Sequence, residues 1–165
     1  MEFHRPRNGG LNFDTAPSMI PTLNENGLLP EGIHECTLAE AEARFGRFQT
    51  TDRRPQLWSR FMEFVREAKA SGMVEAVLVD GSFVTAQPAP NDIDLVVVVS
   101  PAHDVAADLL PHQYNVLAQQ RVRRRFGFDI VVAKNGTDNL AQAVEFFSQV
   151  RQRMGRKKGL LKVTL

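Results

Sequence analysis

Five residues in this chain have the types and spacing to do chemistry: Gly81, Ser82, Asp92, Asp94 and Asp129. Asp92 and Asp94 flank Ile93 at the mouth of an apolar run, DIDLVVVVS. Strand side chains alternate between faces, so both carboxylates share one face while Ile93, Leu95, Val97 and Val99 take the other. Residues two apart on one face hold their Cβ atoms about 7 Å apart, a gap that a divalent ion can bridge. Without a cation, neighbouring carboxylates repel each other and resist shared ionisation. Mg²⁺ or Mn²⁺ is the expected ion, since Mg²⁺ is typically held by one or two carboxylates plus substrate phosphates. Two such ions serve phosphoryl and nucleotidyl transfer: one activates the attacking oxygen and the other steadies the leaving pyrophosphate.

Asp129 supplies a third carboxylate, in FGFDIVVA. The alternation that buries Phe126, Phe128, Ile130 and Val132 points Asp129 to the opposite face. A charge within an apolar strand is costly unless it is paired or ligated. A neighbouring strand carrying Asp92 and Asp94 would gather all three acids around one site. The alternative for Asp129 is a structural salt bridge with Arg124 or Arg125. Gly81-Ser82 ends the preceding strand. Its backbone N–H groups can form a nest for an anion, and the Ser82 hydroxyl can donate to a phosphate oxygen. A plain turn is the alternative there.

These residues need strands to hold them and helices to cover the strands. VEAVLVD from Val74, the stretch from about Ile93 to Val99, and FGFDIVVA read as three strands. CTLAEAEARFG reads as a short helix, with Thr37 and Glu40 forming a capping box and Gly46 stopping it. In TDRRPQLWSRFMEFVREAKASG, residues Leu57, Phe61, Phe64, Val65 and Ala68 share a helical face that ends at Gly72. PAHDVAADLLPHQYNVLAQQRVRRRFG is expected to be helical with Pro111 breaking it in two. DNLAQAVEFFSQVRQRMG is a further helix, with Leu140, Val144, Phe147 and Val150 along one side. The tail RKKGLLKVTL reads as a short edge strand. Residues 1–30, rich in Asn, Gly and Pro, read as an irregular N-terminal arm, and residues 31–165 as a single domain. The class is α/β or α+β, with a small mixed sheet and helices packed on it.

Length fits one domain with a real core. The single cysteine, Cys36, forms no internal disulfide, which fits a reducing compartment. The N-terminus lacks the apolar centre of a signal peptide, and no run approaches the roughly 20 apolar residues of a membrane helix. A cytoplasmic protein with no membrane partner is the expectation. The net charge of +1 hides an asymmetry: residues 121–165 carry 11 Lys and Arg against 3 Asp and Glu. Such a split marks a polyanion-binding face, or two halves that neutralise each other on folding. Within it, RVRRRFG is read either as a grip on a triphosphate or RNA backbone, or as a solvated helix end whose cations complement the helix dipole. GRKKG faces nucleic acid or keeps an edge strand from pairing. His34, His103 and His112 lack metal-like spacing, and His4 lies in the arm.

A strand ending in Gly-Ser, about ten residues, Asp-apolar-Asp, then a later strand with one acid resembles the nucleotidyltransferase superfamily of the DNA polymerase beta type. The likeness covers residues 74–133. More narrowly, GLLPEGIHECTLAEAEARFG, VLVDGSFVT and KKGLLKVTL resemble a family of small, uncharacterised prokaryotic nucleotidyltransferase-like proteins. The resemblance implies that Gly81 and Ser82 hold the triphosphate of an NTP and that Asp92 and Asp94 ligate the metals. It implies that Asp129 completes the second metal site and helps deprotonate the acceptor hydroxyl. The chain also departs from its relatives. The segment FVTAQPAPN lacks the arginines that minimal nucleotidyltransferases of antitoxin systems usually carry there. No separate helical domain selects a tRNA or antibiotic acceptor.

The expected activity is therefore metal-dependent transfer of an NMP from an NTP to a hydroxyl or phosphate on RNA, protein or a small molecule. A place in a toxin–antitoxin or phage-defence system follows from resemblance alone. The rivals are a metal-dependent phosphohydrolase or nuclease and a non-catalytic nucleotide- or RNA-binding module on the same fold.

Overall fold

A computed structural model describes residues 19–151 and 155–165. The first eighteen residues of the expected arm, with His4, lie outside the described residues. The strands among the described residues are β1 (Gly32–Glu35), β2 (Val74–Asp80), β3 (Asp94–Val99), β4 (Asp129–Lys134) and β5 (Gly159–Thr164). They form one mixed sheet in the order β1-β5-β2-β3-β4. β2 is antiparallel to both β3 and β5, whereas β3–β4 and β1–β5 run parallel. The class is the mixed α/β one that the sequence predicts.

The helices are α1 (Leu38–Ala41), α2 (Arg53–Ser71), α3 (Pro111–Leu117), α4 (Gln119–Phe126) and α5 (Asp138–Ser148). α1 begins with the expected capping box: Glu40 N–H donates to Thr37 Oγ1 and Thr37 N–H to Glu40 Oε2. It runs on into a wider π turn, Glu42–Gly46. α2 ends where Gly72 takes the left-handed conformation, φ +70°. Its apolar stripe, with Leu57, Phe61, Phe64, Val65 and Ala68 all buried, packs on Val77, Val79, Leu95 and Val97. α3 and α4 extend that layer through Val116, Val122 and Phe126. On the other face, α5 sets Leu140, Val144 and Phe147 against Leu78, Val96, Val98 and Ala133. Ile20 and Leu29 are buried in the first core, so residues 19–30 are irregular but packed.

Four expectations need correction. Pro111 opens α3 and does not break a helix, since the first turn needs no N–H from it; residues 101–110 are not helical. The break falls at Ala118, whose backbone is extended between α3 and α4. α5 stops at Ser148, and the chain then turns back, pairing Gln149 with Lys157. The tail strand β5 is interior, inserted between β1 and β2, where Leu160, Leu161 and Val163 are buried. No helix among the described residues is long and apolar enough to cross a membrane.

Candidate active site

The sheet register brings the acids together. Asp80 lies opposite Asp94, and Asp94 lies opposite Asp129. Directly paired residues point to the same face, and adjacent strands are about 4.8 Å apart. Three carboxylates thus stand in a row across β2, β3 and β4. They lie on the α5 face, since Leu78, Val96 and Ala133 of the same strands pack there. Ile93, Leu95 and Ile130 are buried on the other face, as their alternation requires. Asp129 is exposed and on the same face as Asp94. Asp80, the last residue of β2, is a full member of the row.

The Gly-Ser turn closes against Asp92. Gly81 has φ +88°, and a Cβ there would sit 3.0 Å from the Asp92 carbonyl oxygen and 3.1 Å from the Asp94 nitrogen. Both the conformation and the close approach call for glycine. Ser82 donates to Asp92 Oδ1 from its backbone N–H (2.9 Å) and from its hydroxyl (2.6 Å). The same hydroxyl accepts from the Asn91 N–H at 2.9 Å. The donors expected to meet a phosphate are therefore aimed at Asp92 and fix its orientation. An intramolecular carboxylate fills the same anion nest that a phosphate would.

The loop between Ser82 and Asp92 is held from below by α2. Arg54 is buried, and its guanidinium donates to the carbonyls of Phe45, Phe83, Thr85 and Gln87, the last three at 2.7 Å. Arg53 donates to Pro90 and Asn91 carbonyls. The two rings flanking Arg54, Phe45 and Phe83, lie 5.9 and 5.6 Å from its guanidinium carbon. The sequence shows an ordinary charged helix start here, and nothing in the spacing marks Arg54 as buried.

The acids differ in charge state. Burial pushes the Asp94 carboxyl from its ordinary 3.8 to about 6, helped by Asp92 and Asp80, opposed by Arg151, and raised further by Asp129. Burial also raises Asp80, against the pull of Lys158. Lys158 Nζ is 2.8 Å from Asp80 Oδ1, yet that buried oxygen receives no well-aligned hydrogen bond. It is a point-charge contact on an under-satisfied acceptor. For Asp92, burial works upward, but the two Ser82 donors, Arg151 and Lys158 outweigh it and hold the carboxyl low.

Does this donor set suit a divalent cation? The chemistry does: hard oxygens, an ionised Asp92, and an Asp94 whose ionisation its neighbours oppose. Asp94 and Asp80, the two carboxyls that burial raises, are the ones a cation would relieve most. The full cage is not assembled, since among the described residues no three carboxylate, imidazole or thiol groups converge on one point. Asp129 is turned to Arg123, whose Nε donates to Asp129 Oδ1 at 2.7 Å. Asp80 is turned to Lys158. The salt bridge foreseen as the alternative for Asp129 thus exists, with Arg123 as its partner and not Arg124 or Arg125.

An open cleft of about 860 Å³ is lined by Asp80, Asp92 and Asp94, but Asp129 is not among its lining residues. Asp80, Gly81, Ser82, Asp92 and Asp94 form its floor, and Phe146, Arg151, Arg156, Lys157 and Lys158 its far wall. The cations that line the cleft come from the chain after α5, not from RVRRRFG. In that segment Arg125 pairs with Glu67 and Arg121 stacks over Tyr114 at 5.4 Å. His34 bonds the Pro30 carbonyl, a packing role. A groove of about 920 Å³ between α5 and β2 is lined by Leu78, Val98, Leu140 and Val144 and contains none of the four aspartates.

Residues 21–164 match a family described as a family of unknown function, DUF6932. No curated protein and no solved structure matches the chain.

Proposed function

The chain belongs to the DUF6932 family, and we propose that it is a metal-dependent nucleotidyltransferase, a reading that rests on the Asp80–Asp94–Asp129 row beside the Gly81-Ser82 turn. The substrate would be an NTP, and the acceptor a hydroxyl or phosphate on RNA, protein or a small molecule. Asp92 and Asp94 would hold Mg²⁺ or Mn²⁺, with Asp129 joining once it leaves Arg123. Bound there, the cation would neutralise charge building on the phosphates and acidify the acceptor hydroxyl.

The chain's own residues set up the rest. Ser82 keeps Asp92 in one rotamer, and Arg53 and Arg54 fix the loop that carries it. Preorganised groups need no rearrangement at the moment of reaction. Asp129, exposed and paired with Arg123, would take the proton of an incoming hydroxyl once released from that pair. The acceptor oxygen bonds the α-phosphorus, the bond to the β-phosphate bridging oxygen breaks, and pyrophosphate leaves. Arg151, Arg156 and Lys158 would balance its charge.

One observation favours a second reading, the non-catalytic nucleotide-binding module. Arg123 and Lys158 already neutralise two of the four acids. Incubation with each α-labelled NTP, Mn²⁺ and cell extract separates the two. A transferase labels an RNA, protein or small molecule, and Asp92→Asn with Asp94→Asn abolishes the label. A binding module labels nothing.

A further inference from the structure

The cleft has one feature that transfer chemistry alone does not require. Phe146 is 67% exposed although it is large and apolar. It lies on the cleft wall at the C-terminal end of α5. Its neighbour Phe147 packs into the second core and meets it edge to face, with ring centroids 5.3 Å apart and planes at 87°. An anchored ring therefore supports a free one.

The cations beside it are also held. Val150 N–H donates to the Arg156 carbonyl at 3.0 Å and Lys158 N–H to the Ser148 carbonyl at 2.8 Å, so a short backbone ladder carries Arg151 and Arg156 past the cleft. Lys157 is engaged by Glu145 and Lys158 by Asp80. Arg151 and Arg156 form no ion pair among the described residues. One flat aromatic face, two guanidinium groups, of which Arg151 also acts on Asp92 and Asp94, and a floor of acids suit a ligand with a flat ring at one end and several negative charges at the other. The cleft's 860 Å³ falls within the roughly 300–1,000 Å³ that small-molecule sites occupy. A protein partner would ask for a broad apolar rim, whereas Asp80, Asp92, Asp94, Arg151, Arg156 and Lys157 are among the residues that line this cleft.

We infer that Phe146 is the base-stacking platform of the site and that Arg151 and Arg156 hold the phosphates of a bound nucleoside triphosphate. This rests on the nucleotidyltransferase reading for the ligand class, and it assigns the ligand's placement. Every base has a π-face, so stacking alone discriminates weakly among bases. The four NTPs should bind with similar affinity.

The test is calorimetric titration of the full chain with ATP, CTP and inorganic tripolyphosphate, each with Mg²⁺ and without an acceptor. Phe146→Ala should weaken ATP and CTP roughly tenfold, equivalent to about 1.4 kcal/mol, within the range of base–aromatic stacking. It should leave tripolyphosphate unchanged, and Phe146→Trp should bind ATP at least as well as wild type. Arg151→Ala with Arg156→Ala should weaken all three ligands. Phe146→Ala binding ATP like wild type overturns the inference, as does tripolyphosphate matching ATP in wild type. The transferase reading fails separately. A chain that binds in this way but labels no acceptor keeps the inference and loses the transferase. A transferase whose KM for ATP is unchanged in Phe146→Ala does the reverse.

Discussion

Replacing Asp94 with Asn should make the cation-free protein more stable near neutral pH, although it removes a central residue of the site. Asp94 is buried, and its carboxyl is raised from 3.8 to about 6 by burial and by Asp92, Asp80 and Asp129. A carboxyl whose folded pKa lies above its unfolded one contributes most below the unfolded value. That contribution is lost as pH rises through about 6. At 1.36 kcal/mol per unit the full span is about 3 kcal/mol, and water in the open cleft screens it to about 1–2 kcal/mol. Asn never ionises, so Asp94→Asn escapes the loss. Urea unfolding at pH 4, 5.5 and 7.5, with cations chelated, reads this directly. The two proteins should agree near pH 4. At pH 7.5 the variant's midpoint should be higher by about 0.5–1 M, taking an m-value near 2 kcal/mol/M. Saturating Mn²⁺ should raise wild type and leave the variant where it was. A variant less stable than wild type at pH 7.5, or a difference that ignores pH, would refute the electrostatic reasoning.

Arg54→Met should lower stability by about 3–5 kcal/mol, because it leaves four backbone carbonyls without their charged donor; Arg54→Lys should not restore it, since an ammonium cannot span them. Denaturant midpoints check both. Gly81→Ala should cost about 1–3 kcal/mol through its positive φ and should abolish the Mn²⁺-dependent rise in melting temperature, because the new methyl presses on the backbone between Asp92 and Asp94.

The acids were legible in the sequence because strand periodicity is local. Alternation alone places Asp94 and Asp129 on one face, and the register pairs them there, whereas Asp92 lies just before β3, outside the ladder. Gly72 and the Thr37 capping box were legible for the same reason, each being a short-range signal. What escaped depends on contacts distant in sequence. β5 reads as an edge strand because nothing within GLLKVT shows that β1 and β2 will flank it. Its insertion is what brings Lys158 to Asp80 and the basic segment to the cleft. α5 ends at Ser148 with no glycine or proline to signal it. Arg54 looks like any charged residue in the first turn of a helix until the loop after Ser82 folds over it.

The central claim is transfer, so the most direct measurement is the identity of the released phosphate. Each NTP is incubated with the protein, Mn²⁺ and cell extract depleted of small nucleotides, and inorganic pyrophosphate and orthophosphate are quantified side by side with acceptor labelling. The account predicts pyrophosphate in proportion to the NMP attached, and none of either from Asp92→Asn with Asp94→Asn. Orthophosphate without labelled acceptor would make the protein a phosphohydrolase, and pyrophosphate release that survives the double substitution would show that the aspartate row is not the site.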